Sequence, residues 1–396
     1  AALPLLVGLT ILGLQGEFSV GLLQEAWPLM AALAAAYVGA WLLSSEFERY
    51  PFINQFEAAL VSVSITLVPA GLLFAGMPRS PINTVALIAT AGSVGWYLVE
   101  KVLHRYRDSC LIVLPGGVTH RLFSIPGVAV EDREETWFRS GTVDGIVADL
   151  HTSLSDYGQF LADYSMKGLP TYHAGYIYEL LTARVLLGAS CKTSVNVRKR
   201  RYFPYVKRAM DLALIGLTLP LTVPIMALTA LAIRIESPGP VLFWQARIGR
   251  DGETFQMAKF RSMVADNEGE ERALFASETD DRVTRVGRFI RTFRIDELPQ
   301  FWNVLKGEMS LIGPRPEQVG LAEEFSTDLS LYKYRHLVRP GITGWAQVLH
   351  GYAADKDATR RKLEHDLYYV KHQSVILELL IIYLTLKTIL TGFGAR

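Results

Sequence analysis

Cysteine is almost absent: Cys110 and Cys191 are the only two in 396 residues. Two thiols so far apart build neither a disulfide framework nor a zinc site, and they fit a reducing cytoplasm. An excess of either charge is also missing, since 40 Lys and Arg meet 39 Asp and Glu for a net charge of +1. That balance excludes a global nucleic-acid footprint and leaves electrostatic function to local clusters. The dinucleotide-binding fingerprint G-x-G-x-x-G does not occur. The chain opens on Ala1 rather than Met, so an N-terminal stretch is expected to be missing and the opening apolar run is not read as a signal peptide.

Apolar residues, by contrast, are plentiful: 50% of the chain is hydrophobic and mean hydropathy is +0.22, alongside 20% charged residues. This mixture predicts a membrane portion joined to a water-facing portion, in a chain long enough for about two or three domains. Residues 1–105 read as a transmembrane helical domain of four segments: the apolar Ala1–Gly16, then Trp27–Ser44, Ile53–Met77 and Pro81–Val99. The last three approach the roughly 20 residues that cross a bilayer, and they lack the polar face of a soluble core helix. Lys101, His104, Arg105 and Arg107 follow the fourth segment, which places that end on the cytoplasmic side. Counting back across four spans puts the start of the chain there too, with Arg79 as a one-residue exception outside.

Residues 108–195 change character. Cys110–Leu114 is a buried-strand run ending in Pro115-Gly116-Gly117, and Val128–Val130 and Gly145–Ala148 are further strand candidates. Ser155–Met166 reads as a helix and Thr171–Leu187 as a strand-helix pair, so a small Rossmann-like α/β module with a parallel sheet is expected. Without the glycine fingerprint it reads as degenerate, with a regulatory or assembly role. The basic run Arg198–Arg201, with Lys207 and Arg208, is expected to attract anionic lipid headgroups.

Residues 200–396 read as a third portion. Within it, 209–233 is apolar but interrupted by Pro220 and Pro224, which should kink a helix there. Basic residues at both ends favour a re-entrant helix that returns to the face it entered from, with a kinked ordinary span as the other option. The rest predicts a mainly helical α+β domain: helices at Glu268–Ala276, Val283–Thr292, Leu298–Leu305 and Asp357–His372, strands only at Val241–Trp244 and Thr254–Ala258.

Four constellations carry chemistry. Lys259 and Arg261 lie two residues apart, on one face if extended. Arg282, Arg285, Arg288, Arg291 and Arg294 recur every third residue, a cationic stripe on a helix. Arg315 sits between Pro314 and Pro316, a rigid way to aim a guanidinium at an oxyanion. Asp296-Glu297 follows the arginine stripe. Alone such a pair is an ordinary surface feature, but cations are expected to keep Asp296 ionised and nucleophilic, while Glu297 can hold Mg2+ against a pyrophosphate.

The stretches Lys207–Asp211, Lys259–Met263, Arg294–Gln300, Asn303–Gly307, Met309–Pro316, Arg339–Gln347 and Asp366–Val370 occur in order over nearly half the chain. Together they make this portion resemble the monotopic phosphoglycosyl transferases that initiate bacterial glycan assembly. With the preceding spans and α/β module, the chain resembles the large members, the polyprenyl-phosphate hexose-1-phosphate transferases. The resemblance implies that Asp296 attacks the β-phosphate of a UDP-sugar, expels UMP and forms a phosphosugar-aspartyl intermediate, which polyprenyl phosphate then resolves. It implies Mg2+ at Glu297, phosphate contacts from Lys259, Arg261 and Arg315, and further site roles for Arg339 and Gln347. It also implies contact with membrane lipids, a bacterial inner membrane with the catalytic domain on its cytoplasmic face, a role in exopolysaccharide, O-antigen or capsule assembly, and room for a homodimer. The family breaks its re-entrant helix at a Ser-Pro pair; here Val223-Pro224 stands there, with Pro220 in addition. Three rival readings are a nucleotide-sugar oxidoreductase built on the α/β module, a non-enzymatic scaffold of polysaccharide export, and a polytopic transferase whose site lies among the spans, against which the few acidic residues in those segments argue. The sugar itself has no motif that reports it.

Overall fold

The computed structural model describes residues 111–125, 145–151, 154–187, 201–264, 282–329, 331–349 and 356–391, with helical positions at 35, 36, 38–40, 42–46 and 62. The four expected spans lie almost wholly outside the described residues, as do the strand at Val128–Val130 and the helix at Glu268–Ala276. The chain divides into two units, Ala1–Ala183 and Arg184–Arg396.

In the first unit, the β-branched runs Leu111–Val113 (β1) and Gly145–Ala148 (β2) pair in parallel with Thr171–His173 (β3), in the order β1-β2-β3. Helix α1, Leu154–Met166, connects β2 to β3, and α2 covers Ala174–Thr182. Leu161 of α1 buries against Ile112, Leu114, Ile146 and Ala148, with Tyr157, Phe160 and Tyr164 packed around them. The expected parallel α/β arrangement is present. The Gly pair after β1 opens only a 3-10 turn, Gly117–Arg121. The N–H of Val118, which in a dinucleotide site would face phosphate, instead donates to the buried Asp149 carboxylate at 3.0 Å.

The second unit begins with α3, Phe203–Glu236, 34 residues that run through both Pro220 and Pro224. Pro204 sits in its first turn, where no N–H bond is lost. Leu217, Leu221, Leu228, Leu231 and Ile235 are exposed along it, so its length and composition suit a membrane. Both halves nonetheless pack onto the same protein body. Ile215 buries with Met257, Val304 and Met309, whereas Ile233 buries with Phe260 and Ile290. The Thr218 hydroxyl donates to Leu214 O and Ile215 O, and the Thr222 hydroxyl to Thr218 O. Such bonds bend helices, and here they lie in the proline segment.

Strands β4 (Leu242–Ile248) and β5 (Thr254–Phe260) form an antiparallel hairpin, with Phe243 opposite Lys259. The turn between them takes positive φ at Asp251 and Gly252. Helix α4, Arg285–Thr292, is capped twice: Thr284 Oγ1 accepts from Gly287 N at 2.8 Å, and Glu236 from the end of α3 accepts from Arg285 N at 2.8 Å and Val286 N at 3.0 Å. A carboxylate there also meets the positive end of the helix dipole. A 3-10 turn, Ile295–Gln300, leads into α5, Phe301–Lys306, which ends at Gly307 with φ 89°. Two three-residue strands that the residue pattern does not reveal, β6 (Ser310–Ile312) and β7 (Gly341–Thr343), pair in parallel. Between and after them come α6 (Val319–Asp328), a 3-10 turn (Tyr332–Leu337), α7 (Trp345–Leu349), α8 (Lys356–His372) and α9 (Val375–Thr391).

Three expectations are corrected here. Lys207 is buried rather than turned to lipid: its Nζ lies 2.9 Å from Asp211 Oδ1 and 2.5 Å from Glu378 Oε2. Arg208 is spent as a C-cap, donating to Val304 O at 2.5 Å and Leu305 O at 2.8 Å, where α5 leaves its last carbonyls unpaired. The apolar run Ser374–Thr391, expected from its sequence as an interfacial helix with a core helix as the other option, is core over the first half of α9: Leu377, Leu380, Ile381 and Leu384 recur at helical spacing and are all buried.

Candidate active site

Strand β5, the turn Ile295–Gln300 and the loop after β6 deliver the site. On β5, Met257 buries with Ile215 and Phe260 with Ile233 of α3, and Lys259 stays half-buried beside the turn. Asn303 bolts that turn's following helix to the strand: its Oδ1 accepts from Ala258 N at 3.0 Å and its Nδ2 donates to Gln256 O at 2.7 Å. Arg294 leaves the helical stripe with φ 59°, and this left-handed step swings Asp296-Glu297 beneath Lys259.

Glu297 is buried, at 6% exposure, and one oxygen gathers three cations. Its Oε1 lies 3.2 Å from Arg315 Nη1 and Nη2, 3.4 Å from Arg294 Nη1 and 3.8 Å from Lys259 Nζ. Burial pushes this carboxyl up, but Arg315, Lys259 and Arg294 outweigh it and hold it at about 2. Burial lowers Lys259 to about 8 despite Glu297, with Arg315 adding to the fall. Asp296 has no hydrogen bond or ion pair among the described residues. Burial, then the neighbouring Glu297 charge, raise its pKa, and the three cations only partly offset them. The expectation that cations depress Asp296 is therefore not met: Lys259, Arg294 and Arg315 act on both carboxyls, but their lowering prevails only at Glu297, whereas burial and the Glu297 charge outweigh it at Asp296.

The expected residues separate into two groups. Asp296, Glu297, Lys259 and Arg315 come together, joined by Arg294, which sequence reasoning placed only in the stripe. Arg261 does not join them, and the shared face with Lys259 fails. Past the end of β5 its buried guanidinium turns to the exit of α3, donating to Pro238 O at 2.9 Å and to Ser237 O at 2.8 Å. Arg339 lies beside Arg208 and Gly307, with its pKa lowered by burial, then by Arg208 and Arg250. Gln347 donates to Ile342 O at 3.1 Å, packed behind Gly344. Pro220 and Pro224 lie in the middle of α3.

All three cations bind one oxygen of Glu297, so its Oε2 has no partner among the described residues. No group of three or more metal-ligating side chains exists among the described residues. The donor set fits a hard divalent ion that takes one or two carboxylates and completes its shell with water and phosphate oxygens, as Mg2+ does.

An unpartnered carboxylate, an adjacent one clamped by cations and a rigidly held arginine make a charged site whose chemistry suits a phosphate-bearing substrate. The family model of the bacterial sugar transferases matches residues 202–392. A UDP-N-acetylgalactosamine-undecaprenyl-phosphate N-acetylgalactosaminephosphotransferase of Aeromonas hydrophila is 41% identical over 374 residues, 92% of this chain and 88% of that one. A UDP-glucose:undecaprenyl-phosphate glucose-1-phosphate transferase of Escherichia coli is 43% identical over 183 residues, 46% of this chain and 39% of that one. The namesake of Caulobacter vibrioides is 42% identical over 191 residues, 48% of this chain and 71% of that one. The chain belongs to the bacterial sugar transferase family and is an enzyme of its phosphoglycosyl transferase class.

Proposed function

We propose that the chain transfers a sugar-1-phosphate from a UDP-sugar to undecaprenyl phosphate through a covalent intermediate on Asp296. An Asp296 oxygen attacks the β-phosphorus, and the bond from that phosphorus to the bridging oxygen breaks, so UMP leaves with the bridging oxygen. A phosphate oxygen of the lipid then attacks the same phosphorus, the bond to Asp296 breaks, and a lipid-diphosphate sugar leaves. Arg315, Lys259 and Arg294 supply positive charge where the transferred group carries negative charge. Mg2+ bound at Glu297, with Asp296 beside it, would neutralise the pyrophosphate. The observation that carries this reading is the contrast inside one dipeptide: Glu297 Oε1 is held by three cations while Asp296 is held by none.

The same proposal places α3 as a re-entrant helix in the inner membrane, with the catalytic unit on the cytoplasmic face. A straight helix would separate Ile215 from Ile233 by about 27 Å. Their clusters lie on Met257 and Phe260, three residues apart and about 10 Å along β5. A bend at Pro220 and Pro224 reconciles the two spans, and the exposed leucines then face lipid. The product would begin a bacterial surface polysaccharide.

The test incubates purified chain, Mg2+ and undecaprenyl phosphate with a panel of UDP-sugars and follows UMP. UDP-N-acetylgalactosamine and UDP-glucose head the panel, because relatives carry those names. Expected are UMP release with at least one sugar, labelled phosphosugar trapped on the protein, and loss of both in Asp296→Asn. Absence of UMP with every sugar, or transfer surviving in Asp296→Asn, refutes the proposal.

A further inference from the structure

The segment that carries Arg315 is held by its backbone. Four successive carbonyls accept donors from three other elements: Pro314 O from Gly341 N at 3.0 Å, Arg315 O from Arg335 Nη2 at 2.9 Å, Pro316 O from Arg247 Nη1 at 3.2 Å and Glu317 O from Ile248 N at 3.0 Å. Proline on either side of Arg315 already restricts φ. The donors remove what freedom remains.

Arg335 is the unusual member of this set, because it is a charged side chain only 2% exposed. Its Nε and Nη2 lie 3.1 and 2.7 Å from Asp366 Oδ2 in α8, and its Nη1 donates to the Tyr332 hydroxyl at 2.8 Å. The Glu317 carboxylate is 3.8 Å from Nη1 and is ion-paired with Lys362. Arg335 and Lys362 against Asp366 and Glu317 leave no net charge buried. A network of this kind is weak evidence of stability, since apolar side chains of similar volume do as well. Its effect is on position. A planar guanidinium bonded at once to a carboxylate, a phenol and a carbonyl cannot rotate, and a lysine ammonium cannot reproduce that fork.

We propose that Arg335, anchored by Asp366, is the positioning residue for Arg315. It fixes the backbone from which that guanidinium reaches Glu297 and the transferred phosphate. The inference rests on the phosphate role assigned to Arg315 above. Misplacing such a group by about 1 Å costs on the order of 10²-fold in rate.

The experiment is a double-mutant cycle on the full chain, using whichever UDP-sugar of the panel releases most UMP. Arg335→Lys should lower kcat by about 10²-fold, with KM for the UDP-sugar changed less than about threefold. In an Arg315→Lys background the same exchange should cost less than about threefold, because the group it positions is already gone. An equal loss in both backgrounds overturns the inference, as does a loss of kcat that merely follows the amount of folded protein. Should Arg335→Lys fail to fold, Tyr332→Phe removes one bond to the fork while keeping the ring. It should lower kcat several-fold with the same dependence on position 315, and equal losses in both backgrounds overturn the inference here too. If Arg315→Lys alone transfers at the native rate, the phosphate role of Arg315 fails. If it is slow and Arg335→Lys adds to it, only the positioning role fails.

Discussion

Asp296→Asn and Glu297→Gln should move the stability of the fold in opposite directions, although both reduce transfer. Asp296 has a folded pKa raised above its ordinary value of 3.8, by burial and then by Glu297. An acid raised on folding is ionised at a cost to the native state at neutral pH, so Asn in its place should leave the melting temperature unchanged or higher. Glu297 is the reverse case. Burial alone would raise it, but Arg315, Lys259 and Arg294 bring it from 4.5 to about 2, a difference of about 2.5 units. At about 1.36 kcal/mol per unit this is about 3 kcal/mol of native stability. That contribution is fully present above the unfolded pKa of 4.5 and is lost as pH falls toward 2. Glu297→Gln forfeits it at pH 7. The second unit, Arg184–Arg396, holds 396 − 184 + 1 = 213 residues. For that size each kcal/mol is worth about 2–4 °C, so the variant should melt about 6–12 °C lower. Thermal unfolding in detergent, followed by tryptophan fluorescence beside a UMP assay, reads both quantities. An Asp296→Asn protein that melts well below the native chain would refute the assignment of strain to Asp296. A Glu297→Gln protein that melts with the native chain would refute the cation clamp.

Three further outcomes are expected. Burial raises the Glu317 carboxyl, but Lys362 and Arg335 outweigh it and hold it at about 2 against an ordinary 4.5. Its contribution is therefore lost on acidification, and the stability gap between native chain and Glu317→Gln should shrink by about 1.4 kcal/mol between about pH 7 and 3.5, a constant gap arguing against the pairing. Asn303→Ala leaves Ala258 N and Gln256 O unpaired beside β5 and should cost about 2–4 kcal/mol by denaturant unfolding, with a cost below about 1 kcal/mol contradicting the bolt. Pro220→Ala with Pro224→Ala should straighten α3 and shift the exposed turn at Glu253 across the membrane. A cysteine placed at Glu253 would then react with an impermeant reagent from the opposite side, and unchanged sidedness would count against the proline bend.

Local pattern made part of this structure legible. The amphipathic run at Asp357–His372 announces α8, which the structure starts one residue earlier at Lys356. The two strands expected at Val241–Trp244 and Thr254–Ala258 are the hairpin of β4 and β5, each extended by its partner's register. The dyad and Arg315 stand out because their neighbours are charged or proline. Long-range pairing was not legible. Strands β6 and β7 are three residues each and find one another across nearly thirty residues, so neither carries a period of its own. The division of labour between Lys259 and Arg261 was hidden for a related reason. Alternation holds only inside β5, and the chain leaves the strand at Phe260, freeing Arg261 to bind the exit of α3. Charge counting likewise misjudged which carboxylate the cations would hold. All of them converge on Glu297 Oε1, and no spacing rule distinguishes adjacent residues on a 3-10 turn.

Under the proposed function, the placement of β5 links membrane entry by α3 to catalysis at the dyad. Met257 and Phe260 on this strand bury against residues from opposite halves of α3, so the strand lies across both arms of the proline-containing helix. Lys259, between them in sequence, reaches to within 3.8 Å of Glu297. The exit of α3 is held as well, by Arg261 from the same strand's end and by Glu236 on the first N–H groups of α4, which leads into the dyad. A change in the angle between the two arms must therefore move Met257 relative to Phe260, or strain the strand that holds Lys259 in register opposite Phe243. A close-packed interior resists both. On the proposed re-entrant form, the bend that sets how deeply the chain enters the bilayer is the same bend that sets the distance from Lys259 to the carboxylates, and a helix straightened at Pro220 and Pro224 should lose transfer even where the dyad itself is untouched.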